Sequence, residues 1–218
     1  MNDFLRRLLF LPEQASSIAP SIDHLHYFVI ITTMLMSAVV GMTTLGFFVA
    51  YRRRAEIGTT PRIMPGWKFE ALTIGVPLAF FLVWFFIGFR GYIRLTTPPA
   101  TAIPVYVMAK QWMWKFAYPG GPSSISVLRV PAHRPVRLLM TSRDVIHSFY
   151  VPSFRIKQDA VPGMHIRVWF QPTKVGEYEL GCAELCGLGH YRMRAVVTVH
   201  SQADYDRWLA QAHSVAQR

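Results

Sequence analysis

The chain has 218 residues, 52% of them hydrophobic, yet 23 basic against 12 acidic residues leave a formal net charge of +11. Apolar mass and charge that are both high must be segregated. The composition therefore excludes an evenly mixed soluble surface and points to membrane spans flanked by basic loops, with a lipid bilayer rather than nucleic acid as the counterpart.

The opening stretch "MNDFLRRLLFLPEQASS" has Arg6 and Arg7 before an apolar run that stops at Pro12. That run is too short for the core of a cleaved signal, so it is expected to stay attached and to lie at the membrane interface. Residues 27–51 then form a run of 25 without a formal charge, and residues 71–89 a second run of 19. At about 1.5 Å per residue these reach roughly 37 Å and 28 Å, against a hydrocarbon core of about 30 Å. Both read as transmembrane helices, because a buried helix of a soluble protein seldom runs this long without a charge on some face.

The loop between the runs carries Arg52, Arg53, Arg54, Arg62 and Lys68 against Glu56 alone. The positive-inside rule places it in the cytoplasm and both termini on the other side. Arg6, Arg7, Arg90 and Arg94 flank the outer ends, but three consecutive arginines abut the first span.

Beyond the second span, "RGYIRLTTPPATAIP" is rich in Pro and Thr, as a linker is. The expected organisation is an exported N-terminal segment over 1–24, a helical hairpin over 25–94 with its cytoplasmic loop near 52–68, a linker over 95–101, a domain over 102–200 and a C-terminal helix over 201–218. The domain's pattern is β. Short runs such as "SISVLRVP", "RPVRLLMTS" and "HIRVWFQP" are rich in β-branched and aromatic residues, and Ile166, Val168 and Phe170 alternate with Arg167 and Trp169. Several such runs at short spacing predict an antiparallel sandwich or barrel. Ser201 and Asp204 have capping-box spacing at the head of the last helix.

The only two cysteines, Cys182 and Cys186, are followed by His190 and Met193 in the pattern C-x3-C-x3-H-x2-M. Thiolate, imidazole and thioether are soft donors that suit copper and, less well, zinc. One Gly-bounded loop can turn Cys182, Cys186 and His190 inward, with Met193 following. His147 in "TSRDVIHSFYVP" is the best second imidazole, expected in a loop at the end of the sandwich; His133, His165, His200 and His213 have ordinary surface or strand readings. On ligand types alone, copper, a disulfide and a Cys2His2 zinc site all stay open. The absence of C-x-x-C-H excludes a covalently attached c-type haem in this chain.

"HSFYVPS", then "KQDAVPG", then "CAELCGLGHYRM" resemble cytochrome c oxidase subunit II, the subunit with the binuclear CuA centre. The hairpin, the Pro-rich linker and the aromatic "KQWMWKF" follow the same order, so the resemblance covers nearly the whole chain. It implies a two-helix transmembrane hairpin carrying an all-β, cupredoxin-like Greek-key sandwich in a bacterial plasma membrane, with the copper domain and both termini periplasmic. Cys182 and Cys186 would bridge two copper ions, His147 and His190 would bind one each, and Met193 and the Glu184 carbonyl would be weak axial ligands. Single electrons would pass from a cytochrome c to haem in a partner catalytic subunit I, within a complex of further membrane subunits that reduces oxygen and pumps protons.

The same resemblance makes Trp112 the electron-entry aromatic, although Met113 stands where the family usually has an aromatic. It gives the Glu184 side chain a shared magnesium ion at the boundary with the catalytic subunit. It sets Glu70 at the mouth of a proton-uptake channel, although Thr73 replaces a frequent Trp. From Leu95 onward there are 14 basic and 7 acidic residues, which fits a strongly basic donor poorly. An acidic, neutral or membrane-held donor is expected instead. The competing readings are a CuA subunit of a nitric oxide reductase, a copper-delivery or thiol-disulfide protein, and a metal-free subunit of a quinol oxidase. The last two are disfavoured by the β pattern and by the complete ligand set.

Overall fold

In a computed structural model, described for residues 2–52, 62 and 64–216, the chain divides into two compact units. One is the hairpin, residues 25–93. The other combines residues up to His24 with residues 94 onward. Most of the loop read as cytoplasmic, including Arg53, Arg54 and Glu56, lies outside the described residues.

Helix α1 spans Asn2–Leu8, α2 Ala19–Ala50 and α3 Trp67–Thr96. Both long helices start before their uncharged runs, and α3 also ends beyond its own. Ser16 accounts for the early start of α2: its Oγ accepts the Ala19 N–H at 3.2 Å, satisfying a donor that the first turn leaves open. Helix α3 runs through Arg90 and Arg94 into the segment read as linker. Both helices are apolar on every face, with consecutive residues such as Met34, Leu35 and Met36 exposed, as lipid contact requires.

Among the described residues the β unit has ten strands: β1 Ile103–Lys110, β2 Met113–Ala117, β3 Ser123–Ile125, β4 Val127–Pro131, β5 Val136–Ser142, β6 His147–Val151, β7 Ile156–Ala160, β8 Ile166–Phe170, β9 Gly176–Cys182 and β10 Arg194–His200. They form two five-stranded sheets, β3-β2-β1-β5-β8 and β4-β10-β9-β6-β7. The core between them is built from alternating inward residues, among them Trp114, Phe116, Leu138, Phe149, Phe170 and Leu180, all fully buried.

The sheets are not purely antiparallel as expected, since β1 pairs with β5 and β10 with β4 in parallel. The cause lies at Ser126, whose φ of 54° breaks "SISVLRVP" into two strands that belong to different sheets. A chain that changes sheet between paired strands returns through a crossover, and crossovers allow parallel pairing. Helix α4, Gln202–Ala216, is capped by Ser201, whose Oγ accepts the Asp204 N–H at 3.2 Å.

The segment just before α2 is a strap on the β unit. Ala15 and Ser17 donate backbone hydrogen bonds to Ser153 and Gln171, and Thr173 donates to Ala15. Arg155, in the left-handed region at φ 57°, bonds both carboxylate oxygens of buried Asp23 at 2.7 and 3.0 Å. Asp23→Asn is expected to destabilise the β unit by about 3–5 kcal/mol, because one partner of a buried pair loses its counter-charge. A denaturant melt of the full chain in detergent, followed by tryptophan fluorescence, checks this; an unchanged midpoint would show that the strap contributes nothing.

Candidate metal centre

Three neighbouring strands of the second sheet deliver the donors to one end of the sandwich. Cys182, the last residue of β9, sits two residues along the register from His147, the first residue of β6, because Phe149 pairs with Cys182. Gly181 pairs with Arg194 at the head of β10, which sets Met193 beside the same edge, and the Cys182 N–H donates to the Met193 carbonyl at 3.1 Å. His147 is thus a strand residue, not a loop residue as expected, and its ring is fully buried.

The six expected donors come together. The ligand atoms of His147, Cys182 and Cys186 lie within 4.8 Å of one another. The two sulfurs are 3.8 Å apart and unbonded, far beyond a disulfide's length of about 2.05 Å. His147 Nδ1 is 4.0 Å from Cys182 Sγ, and the Glu184 carbonyl is 3.2 Å from that sulfur. On the other side, His190 Nδ1 lies 3.6 Å and Met193 Sδ 3.8 Å from Cys186 Sγ. Separations near 3.8 Å are those of donors that share an ion about 2.3 Å from each sulfur. The thiols therefore stand at the centre, with an imidazole and a weaker donor close to each, which fits a pair of soft metal ions.

Asp144 completes the site and escaped the sequence reading, which counted it only as a charge. Its Oδ1 lies 2.8 Å from His147 Nε2 and accepts the Val145 N–H at 2.8 Å, while Oδ2 accepts the Gln111 N–H at 2.8 Å. Burial pushes the Asp144 carboxyl up, but hydrogen bonds from Gln111, His147 and Val145 outweigh it and bring the pKa down to about 2. An ionised carboxylate only accepts, so His147 carries its proton on Nε2 and turns its free Nδ1 towards Cys182. Trp114 walls the ring from the core, edge-on at 6.2 Å between centroids.

Trp112 is 41% exposed, and its Nε1–H donates to the Cys186 carbonyl at 3.2 Å, where Gln111 Nε2 also donates at 2.9 Å. Its ring lies on Gly189 so closely that a Cβ there would collide with it. That contact explains a glycine the spacing pattern alone did not. The Glu184 side chain is exposed beside the loop. Glu70 lies in the first turn of α3, exposed, in the hairpin unit.

A cupredoxin-like sandwich that gathers two thiols, two imidazoles and a thioether at one end, on a chain with two membrane-length apolar helices, defines a class of membrane-anchored metal domain. Comparison with known proteins narrows it. The model of the family "Cytochrome C oxidase subunit II, periplasmic domain" matches residues 123–200. A probable cytochrome c oxidase subunit 2 of Rickettsia felis is 30% identical over 226 residues, covering 93% of this chain and 71% of that protein. The alternative cytochrome c oxidase subunit 2 of Bradyrhizobium diazoefficiens is 36% identical over 154 residues, covering 56% of each, so the chain spans about half of that relative's length. The crystal structure of the periplasmic domain of a Bradyrhizobium japonicum cytochrome oxidase subunit II superposes with a TM-score of 0.53 at 29% identity, over 55% of this chain and 99% of that one. The chain belongs to the cytochrome c oxidase subunit II family.

Burial, then the hydrogen bond and charge of the neighbouring Cys182, push the Cys186 thiol up to about 12. Metal binding must displace that proton, so affinity rises with pH. Chelator competition between about pH 6 and 8 is expected to show about a tenfold gain per unit from this proton alone, and pH-independent binding would contradict it. Asp144→Ala should weaken metal binding about 10–100-fold without unfolding the domain.

Proposed function

We propose that this chain is the electron-entry subunit of a respiratory haem-copper terminal oxidase. The observation that carries the reading is the pair of free thiols 3.8 Å apart, flanked on opposite sides by His147 and His190. Copper held by these residues would supply one-electron exchange, the soft donors suiting it in both redox states. His147, Cys182, Cys186 and His190 would be the principal ligands, with Met193 and the Glu184 carbonyl as weaker ones.

The chain's own residues prepare that exchange. Asp144 fixes the tautomer and the plane of His147. Trp114, Phe149 and buried Met193 keep water from one side of the cluster, so the ligands need little solvent rearrangement. Trp112 spans surface and site: its ring meets solvent while its N–H holds the Cys186 backbone, giving an electron a short path inward.

The electrons would pass to haem in the catalytic subunit, where oxygen is reduced to water with proton translocation. The exposed Glu184 carboxylate would hold a magnesium ion shared with that subunit, and Glu70 would serve the entrance of a proton path. Two features support a topology with the copper domain periplasmic and the loop near 52–68 cytoplasmic. The residues that precede and follow the hairpin, up to His24 and from Arg94, both belong to the β unit, so the two ends of the hairpin lead into the same unit along the chain. Three consecutive arginines, 52–54, directly follow the first uncharged run in the sequence.

The oxidase purified with this chain is expected to yield two copper ions attributable to it. Trp112→Phe should keep that copper and its reduction by ascorbate while slowing reduction by a protein donor about tenfold or more, a contact being lost where orientation matters. Recovery of zinc, or a Trp112→Phe protein reduced at the original rate, would overturn the reading.

A further inference from the structure

The first sheet shows solvent a face whose composition the core pattern does not require. Register places Met108 between Lys115 and Thr141, and Tyr106 between Ala117 and Leu139, with Leu139 facing Arg167. These outward residues floor a groove of about 510 Å³ in which Tyr106 is 50% and Met108 39% exposed. Lys115, Arg143 and His165 line its rim.

All the formally charged residues at the outward positions of this face are cationic: Lys110, Lys115, Arg137, Arg143 and Arg167, each exposed. Among the described residues, none of the five has a carboxylate partner. The contrast within the same unit is sharp, since Arg155, Lys157, Lys174, Arg194 and Arg207 are each paired with an acid. Asp144, next to Arg143, is already engaged by His147 and by the Gln111 and Val145 N–H groups. The field of this face is therefore left open to an outside partner.

We propose that this face docks the electron donor, and that the donor meets it with a carboxylate-rich surface around an apolar centre. The proposal rests on the electron-entry reading. Trp112 lies in the turn joining β1 to β2, directly after Lys110 and Gln111, so a partner seated on the groove has the entry group at its edge. An apolar floor with a charged rim is the form of a protein interface, and unpaired cations around it steer an anionic partner from a distance. In the encounter, one electron would leave the reduced metal of the donor and be accepted by copper held at Cys182 and Cys186, with no bond made or broken.

The test measures binding of two soluble c-type cytochromes, one of net negative and one of net positive charge, to the full chain in detergent, metal-free and copper-loaded. Electron transfer is followed in the loaded chain. At low salt the negative cytochrome is expected to bind at least about tenfold tighter, within the range that electrostatic steering and complementarity supply, and the difference should vanish near 1 M salt, where the screening length is about 3 Å. Lys115→Glu combined with Arg143→Glu should reverse the order, while Arg207→Glu, on α4, should leave it unchanged.

Tighter binding of the positive cytochrome, or equal and salt-insensitive binding of both, would overturn the proposal and leave electron entry standing. Tight, salt-dependent binding of the negative cytochrome with no electron passing would support the charge assignment and overturn electron entry. If the charge-reversed chain lost only its binding to phosphatidylglycerol vesicles, with both cytochromes unaffected, the face would belong to lipid and the proposal would fall.

Discussion

Two thiol sulfurs 3.8 Å apart, one of them almost sealed from solvent, stand against two imidazoles and a thioether. Donors so crowded and so poorly solvated hold together best when cations unite them, and the rest of the β unit serves that requirement. Strands β6, β9 and β10 are neighbours in one sheet, so His147, Cys182 and Met193 emerge at one end. The loop between β9 and β10 then needs only to fold back for Cys186 and His190 to close the group. Rigidity comes from the sandwich, and the loop inherits it through Trp112, Gln111 and the glycine beneath the indole.

A second organising feature is the separation of charge. The acids on strands, Asp159, Glu177 and Glu179, belong to the second sheet, whereas the outward face of the first carries cations alone. The unit's net positive charge is thus concentrated rather than spread, and it lies next to the aromatic that touches the site. Asp144 sits at the meeting point. Its charge is used inward, on His147, so it does little to neutralise the face beside it.

Much of this was legible in the sequence, for identifiable reasons. Long uncharged runs reveal helices because lipid tolerates no alternative, and soft donors at close spacing reveal a metal site because few other uses bring them together. What stayed hidden depends on contacts distant in the chain. The role of Asp144 needs the fold of β5 into β6 and the reach of the Gln111 N–H from the turn after β1. The strap over residues 12–23 has no periodic pattern of its own: part of its attachment is backbone hydrogen bonding, and its side-chain partners, such as Arg155 for Asp23, lie far along the chain. The parallel pairs followed from one residue, Ser126, where an apparently continuous strand crosses between sheets.

The thiols at the centre of this account either share two metal ions or do not. Electron paramagnetic resonance of the copper-loaded full chain reads this directly. One unpaired electron spread over two copper nuclei is expected, visible as a hyperfine pattern with equal splitting from both. A pattern from a single copper nucleus, or a silent protein holding zinc or a Cys182–Cys186 disulfide, would contradict it.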